Sequence, residues 1–401
     1  MTTSPGKASK FLLVGACVLA LAGCSTIKGW FGGDKDDRPT EPAELVEFTP
    51  SATVSKLWSA SAGDGEGRIG ARQGPAVADG RVYAAAIDGG VHAFDLRTGA
   101  EQWSYEPAEV EDEPRVRLSG GPGAGDGLVV VGGLDGEVIA LDAATGAEKW
   151  TAEVSNEVIA APAIGGGMVF VRSNDGRVTA FDAATGERRW FWTRVMPTLT
   201  VRGNDAPVLG PGYVFVGNDD GTVAAISMQD GTLIWEQAIA QAEGRSDLDR
   251  MADVDGAPVL DGAVLYATSF KGQTMAINAP TGQPIWLSEE GGAGHVAVAP
   301  SVAVVTDPAD TVFGLDKATG TAMWKQPALL RRKLTAPAIH GDYAVVGDYD
   351  GYLHWLDLGN GEFVARARAG GDPLRATPVV ADGILIVQDI DGELSAFRLG
   401  Q

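Results

Sequence analysis

Between residues 161 and 193 the chain alternates short apolar runs with polar, glycine-bearing steps: APAI at 161–164, MVFVR at 168–172, RVTAFD at 177–182 and RRWFWT at 188–193. Each run is too short for a helix and is bounded by turn formers, so the segment predicts four strands. Asn174-Asp175-Gly176 joins the second to the third. Asp-Gly suits a two-residue hairpin, where both central residues need positive φ. Comparable turns stand at Asp88-Gly89, Asp135-Gly136, Asp220-Gly221, Asp350-Gly351 and Asp391-Gly392. Thr-Gly pairs at 98–99, 145–146, 185–186, 281–282 and 319–320 turn a third strand into a fourth.

The fourth strand carries a recurring tryptophan. DLRTGAEQW ends at Trp103, DAATGAEKW at Trp150, DAATGERRW at Trp190, SMQDGTLIW at Trp235, NAPTGQPIW at Trp286 and DKATGTAMW at Trp324, while a cruder phrase ends at Trp58. Successive steps of 45, 47, 40, 45, 51 and 38 residues match the period of a propeller blade. Four antiparallel strands per repeat predict an all-β, eight-bladed β-propeller over residues 51–401. The eight inner strands are expected near Pro75, Pro122, Pro162, Pro207, Pro258, Pro300, Pro337 and Pro378. The last unit stops after three strands, and the orphan strand around Trp58 is expected to supply its fourth and close the ring, leaving no open inner edge. Unit seven has Ala365 where a tryptophan is due, so that junction should pack differently. The repeated indole reads as a wedge between neighbouring blades, burying a large apolar area and giving its N–H to a partner.

The first residues add an address. Lys7 and Lys10 precede an apolar run from Phe11 to Ala22, followed by Leu21-Ala22-Gly23-Cys24, the order of an export signal. The run is too short to span a bilayer comfortably. This start resembles a bacterial lipoprotein signal: 1–23 is removed and Cys24 receives the lipid. The same resemblance implies, from Ser25 in place of Asp after the cysteine, transfer to the outer membrane of a Gram-negative cell. Cys17 leaves with the signal, so no cysteine remains for a disulfide, and a 45% hydrophobic chain must rely on its core. Residues 24–50, polar and carrying the run Asp34-Lys35-Asp36-Asp37, read as a flexible tether. A net charge of −22 argues against nucleic acid, which demands a basic footprint.

The sequence shows no catalytic constellation. His92, His295, His340 and His354 fall in different repeats with no metal-ligand spacing, and no nucleophile elbow, phosphate loop or calcium loop is present. No cofactor and no metal are expected.

The phrase ALDAATGAEKW at 140–150 resembles the repeat of pyrroloquinoline-quinone dehydrogenases and their non-enzymatic relatives. Within that group MPTLTVRGNDAP at 196–207, DRMADVDGAPV at 249–259, GDYDGYLHWLD at 347–357 and the lipoprotein start are similar to the BamB family of the outer-membrane β-barrel assembly machine. The resemblance implies a non-enzymatic scaffold that binds the POTRA domains of BamA and assists folding and insertion of β-barrel proteins, with unfolded outer-membrane proteins as further partners. It also implies that 196–207 and 249–259 carry the BamA contact.

Spacing supports that place independently. From the phrase-ending position to the next inner-strand proline the distances are 17, 19, 12, 17, 23, 14, 13 and 13, and the long connectors 190–207 and 235–258 are consecutive. Both emerge on one face, so they should be neighbours. Leu199 and Val201 lie outside the core pattern, and burying each against a partner could contribute roughly 1.5 to 3 kcal/mol. Arg202 can anchor a polar contact, with Asp253 and Asp255 either pairing with it or facing the partner. A third long connector, 104–121, carries Glu106, Glu109, Glu111, Asp112 and Glu113 and reads as a solvated acidic loop.

Two rival classes remain. A membrane-tethered quinoprotein dehydrogenase would need a quinone pocket, a calcium site and commonly a vicinal disulfide, and the chain has no Cys-Cys pair. A propeller binding exported polypeptide independently of BamA could offer free sheet edges.

Overall fold

The computed structural model describes residues 1–2, 41–66, 73–108, 116–197, 199, 206–241 and 251–400. Cys24, Val201 and Arg202 lie outside these, as do Glu109, Glu111, Asp112 and Glu113. All described regular structure is β, in eight four-stranded antiparallel sheets within the unit Glu44–Gln401. They form an eight-bladed propeller. Blades 1 to 7 occupy 76–105, 118–153, 163–192, 208–238, 259–288, 297–326 and 338–368, each running outward in chain order. Blade 3 consists of Ala163–Gly165, Met168–Arg172, Val178–Asp182 and Arg188–Trp192, within two residues of the sequence-based expectation.

Blade 8 combines both chain ends. Val379–Ala381, Ile384–Gln388 and Glu393–Leu399 form its three inner strands, and Val54–Ser61 pairs antiparallel with Glu393–Leu399 as the fourth. Inner strands of successive blades touch all the way round, and blade 8 touches blade 1. Antiparallel order puts the Asp-Gly turns and the blade-to-blade connectors on one face and the Thr-Gly turns on the other.

Two proline landmarks need correction. The inner strand of blade 2, Leu118–Gly125, starts before Pro122 and contains it; two register shifts against Leu128–Gly133 accommodate the run LSGGPGAG. Small residues and glycines let this edge bulge where a side-chain-bearing strand would lose its pairing. In blade 6 the inner strand is the pair Ala297–Val298, and Pro300 follows it.

The tryptophans bind each blade to the next. Trp58, Trp103, Trp150, Trp190, Trp235, Trp286 and Trp324 donate from Nε1 to the carbonyls of Leu96, Ala143, Ala183, Met228, Ala279, Lys317 and Leu358, at 2.8 to 3.1 Å. Each acceptor belongs to the 3–4 turn of the following blade. The indole face lies on that turn's glycine: Gly186 has φ 72°, and a Cβ there would sit 2.7 Å from the Trp150 ring. The turn glycine therefore serves both the left-handed backbone and the close approach of the ring.

Blade 7 is the exception, and its neighbour explains why. Blade 8 joins its third and fourth strands without a continuous 3–4 turn, Gly400 meeting Thr53 across the gap, so an indole at 365 would lack the Asp-Thr-Gly turn that receives the others. The cross-strand pair is inverted instead. Elsewhere Ala or Gly on the third strand faces the outer tryptophan, as Ala140 faces Trp150, whereas here Trp355 on the third strand faces Ala365. Trp355 is fully buried, packs edge-on against Phe397 of blade 8 at 6.1 Å, and donates to His340 Nδ1 at 3.2 Å. His340 is thus held neutral, its Nε2–H directed at the Gly383 carbonyl, and burial lowers its pKa.

Around that junction the stretch GDYDGYLHWLD builds a buried polar chain. Arg332 donates to Asp348 and Asp350, both at 2.8 Å; His354 donates from Nε2 to Asp348 at 2.9 Å and accepts at Nδ1 from Arg366 at 3.1 Å. Burial opposes ionisation of Asp348, but the His354 and Arg332 hydrogen bonds hold its carboxyl below the usual range. Arg366 continues outward to the Val46 carbonyl and lies over the Phe48 ring, which stacks on Phe363 at 5.5 Å. Residues 44–52 therefore lie along the outer strand of blade 7, where Ser51 and Ala52 donate to the Val364 carbonyl.

Removing one indole should loosen one junction without altering strand order. Trp150→Ala should cost about 3 to 5 kcal/mol, and Gly186→Ala should also destabilise, by backbone strain and collision with the same ring. Urea unfolding monitors both; a Trp150→Ala melting temperature within a degree of the parent would contradict the wedge.

Candidate docking site on the connector face

The connector after blade 3 leaves the repeat at Thr193 and enters blade 4 at Val208. Its base is an ionic clamp: Arg194 forks onto Glu236, with nitrogen–oxygen distances of 2.6 and 2.8 Å, and also meets Asp220. Both carboxylates come from blade 4, so the connector's first residues are pinned to the blade they are about to join. Above the clamp, Val195 is 88% exposed and Leu199 44% exposed. Together with Met196 and Pro197, Val195 rims a small depression floored by Arg172, Asn218 and Asp219.

The connector after blade 4 takes the opposite course. Ala252, Asp253, Val254 and Asp255 are all buried, Asp253 fully and Asp255 to 2% exposure. Val254 donates to the Asn218 carbonyl at 3.1 Å, and Phe270 donates to the Asp253 carbonyl at 2.7 Å. Gly217 permits this, since a Cβ there would collide with the Val254 carbonyl. Of the two roles the sequence left open for Asp253 and Asp255, facing a partner does not match this burial. Their side chains are buried within the protein, and the backbone of this segment seats the connector.

The turn 218–220 therefore meets both connectors, which are neighbours as their consecutive lengths implied. At its centre Arg172 and Asp219 pair at 3.4 Å, each 3% exposed. Burial outweighs this single long contact, and the nearby Asp253 and Asp220 add repulsion, so the Asp219 carboxyl is pushed up to about 6. Sequence reasoning singled out Leu199, which is exposed, but missed Arg194, Val195 and the Arg172–Asp219 pair. The signal for Val195 was present in TRVMP, an apolar residue off the strand register. The pairing of Arg172 with Asp219, 47 positions apart, carried none.

The histidines take structural partners. His92 contacts Glu101 at 3.3 Å and the Gly89 carbonyl at 2.9 Å, while His340 and His354 belong to the blade 7 junction. Among the described residues no group of three or more His, Cys, Asp or Glu could hold a metal ion.

A closed ring of four-stranded blades defines a propeller class whose fold is shared with quinoprotein dehydrogenases. The quinohemoprotein alcohol dehydrogenase of Comamonas testosteroni superposes with a TM-score of 0.67 over 88% of this chain and 78% of its own, at 16% identity, a likeness of fold alone. A family model described as outer membrane protein assembly factor BamB matches residues 40–117, 88–326 and 310–399, and the chain belongs to that family. The BamB of Xanthomonas campestris pv. campestris is 62% identical over 395 residues, 97% of either chain. The crystal structure of BamB from Moraxella catarrhalis superposes with a TM-score of 0.76, at 26% identity, covering 86% of this chain and all of that one.

The Asp219 environment has a pH consequence. The folded chain holds this proton up to about pH 6, whereas the unfolded chain releases it near 3.8. Stability therefore falls as pH rises through that window, because ionisation costs the folded state more. Asp219→Asn should remove up to about 3 kcal/mol of that decline. Urea denaturation at pH 4 and pH 7 checks it; equal pH dependence in parent and variant would show that Asp219 ionises freely.

Proposed function

We propose that this chain is a non-enzymatic scaffold lipoprotein of the outer-membrane β-barrel assembly machine, held by a lipid on Cys24 at the periplasmic face. Its connector face binds the POTRA domains of BamA and so assists folding and insertion of β-barrel proteins. The observation that carries this reading is the exposed Val195 and Leu199, presented on a connector whose base is pinned by Arg194 to Asp220 and Glu236. Val195 stands next to the pinned Arg194, so it loses little entropy on docking and can contribute nearly its full burial. Leu199, Val201 and Arg202 make the contact, while Asp253 and Asp255 are buried on the adjacent connector.

Membership in the BamB family supports the partner, and the Cys24 context supports the anchor. The fold is shared with quinoprotein dehydrogenases, so the non-enzymatic part of the reading has its own check. After incubation with pyrroloquinoline quinone and calcium, the purified protein should carry no chromophore.

Leu199→Ala combined with Arg202→Ala should abolish recovery of BamA in a tagged copurification from membranes while leaving circular dichroism unchanged. Undiminished recovery would overturn the assignment of this face. Cys24→Ala, expressed with its signal, should move the protein from the membrane fraction to the soluble periplasm; continued membrane retention would point to another anchor.

A further inference from the structure

The segment ahead of the first strand is tied to the ring through Arg366. From the outer strand of blade 7 its Nη1 donates to the Val46 carbonyl at 3.1 Å, and its guanidinium lies over the rings of Phe48 and Phe363, 5.0 and 5.4 Å from their centres. Leu45 packs against the buried cluster around Trp324, and Ser51 and Ala52 are bonded to the Val364 carbonyl. Residues 44–50 thus form a strap along the edge of blade 7, its backbone held at the middle by one guanidinium.

Arg366 is held in turn by a histidine that must stay neutral. His354 is fully buried, with Nε2 at 2.9 Å from Asp348 and Nδ1 at 3.1 Å from Arg366 Nε. A guanidinium nitrogen can only donate, so Nδ1 offers a lone pair and Nε2 carries the single ring proton. A second proton has no place but Nδ1, where it would meet the Arg366 Nε–H donor to donor and set two cations side by side. Arg366 Nη2 already lacks a hydrogen bond, so this loss leaves the guanidinium with the Val46 carbonyl alone. Asp348 stays with the imidazolium, since the His354 and Arg332 hydrogen bonds keep it ionised. Half-buried Arg366 is the member able to swing out to water.

We propose that His354 is an acid-sensitive latch: while neutral it holds Arg366, and through it the strap 44–50, against blade 7, and when protonated it gives up Arg366 and frees the strap. The charged groups facing His354 are Asp348 from the turn between the second and third strands, Arg332 from the connector before blade 7 and Arg366 from the outer strand. Tyr352 lies beside it on its own strand, and Glu47 of the strap acts on Arg366. Burial, against the pull of Asp348, lowers the His354 pKa from the ordinary 6.5. With the strap released the ring is wetted and titrates near 6.5, so below that pH the proton favours release. The balance shifts about tenfold per pH unit until the latched form titrates as well. On a chain anchored at Cys24, freeing 44–50 extends the tether by about 25 Å, at roughly 3.5 Å a residue. The inference does not depend on the docking face.

The test uses the mature chain from residue 24, with Cys24→Ala and a nitroxide attached at Thr49→Cys on the strap. Its paramagnetic resonance spectrum should show an immobilised label at pH 7.5 and a mobile fraction that grows relative to the immobile one by about tenfold per pH unit below 6.5. The same label at Ser104→Cys on blade 1 should not change. His354→Gln keeps one acceptor for Arg366 and one donor for Asp348 but cannot titrate, and should hold the strap label immobile at both pH 7.5 and pH 5. Should that variant fail to fold, Arg366→Met carries the test, with a label mobile at every pH. A strap label unchanged between pH 7.5 and pH 5, a His354→Gln response equal to the parent's, an Arg366→Met label immobile at pH 7.5, or parallel loosening at Ser104 would each overturn the latch.

Discussion

One contact repeats around this ring and everything else is arranged by it: an indole lying on a glycine, with its N–H directed into the adjacent turn carbonyl. A propeller has no continuous sheet from blade to blade, so lateral cohesion must come from side chains crossing the gap. The turn that receives the indole is itself braced. In the turns headed by Asp95, Asp142, Asp182 and Asp316 the carboxylate accepts from the threonine hydroxyl and from backbone N–H groups, and these hydrogen bonds hold each carboxyl below its usual range. Each joint takes aspartate, threonine and glycine from one blade and the tryptophan from the blade before it: the first two fix the turn, the third makes room, and the fourth fills it.

That joint also explains its own interruption. A tryptophan on an outer strand is useful only when the following blade offers a 3–4 turn, and the blade assembled from both chain ends has none. The volume is moved one strand inward, to Trp355, whose N–H takes a histidine nitrogen in place of a carbonyl. A buried chain from Arg332 through Asp348 and His354 to Arg366 then links this junction to the segment 44–52 outside it. Buried charges are costly unless partnered, and here the links are hydrogen bonds of about 3 Å, with Arg366 Nη2 alone in the chain left without one.

Most of the ring was legible because its rules are local and repeat. The hairpin turns, the fourth-strand tryptophans and the anomaly at Ala365 follow from residues within one period, and closure by the strand around Trp58 follows from counting the periods. What compensates Ala365 was visible in GDYDGYLHWLD but not readable, since recognising Trp355 as its counterpart requires the cross-strand register. Proline marked inner strands except where glycine replaced side-chain packing, in 118–125, or where the strand shrank to two residues, at 297–298. The two long connectors were located by length, a coarse ruler that cannot tell a loop that projects from one that folds inward. Leu199 projects, whereas Asp253 and Asp255 are carried down by Val254 and the small Gly217.

The clasp of the ring joins Val54 to Leu399, partners separated by almost the whole folded chain. Contacts of such separation form late, because the intervening loop must be closed before they contribute. An exported polypeptide delivers its N-terminal strand first, and that strand has nowhere to dock until residues 393–399 arrive. Closure thus acts as a completeness check: a chain cut short anywhere before its final strand leaves an unpaired edge at each end, and only a fully delivered polypeptide can present a sealed surface.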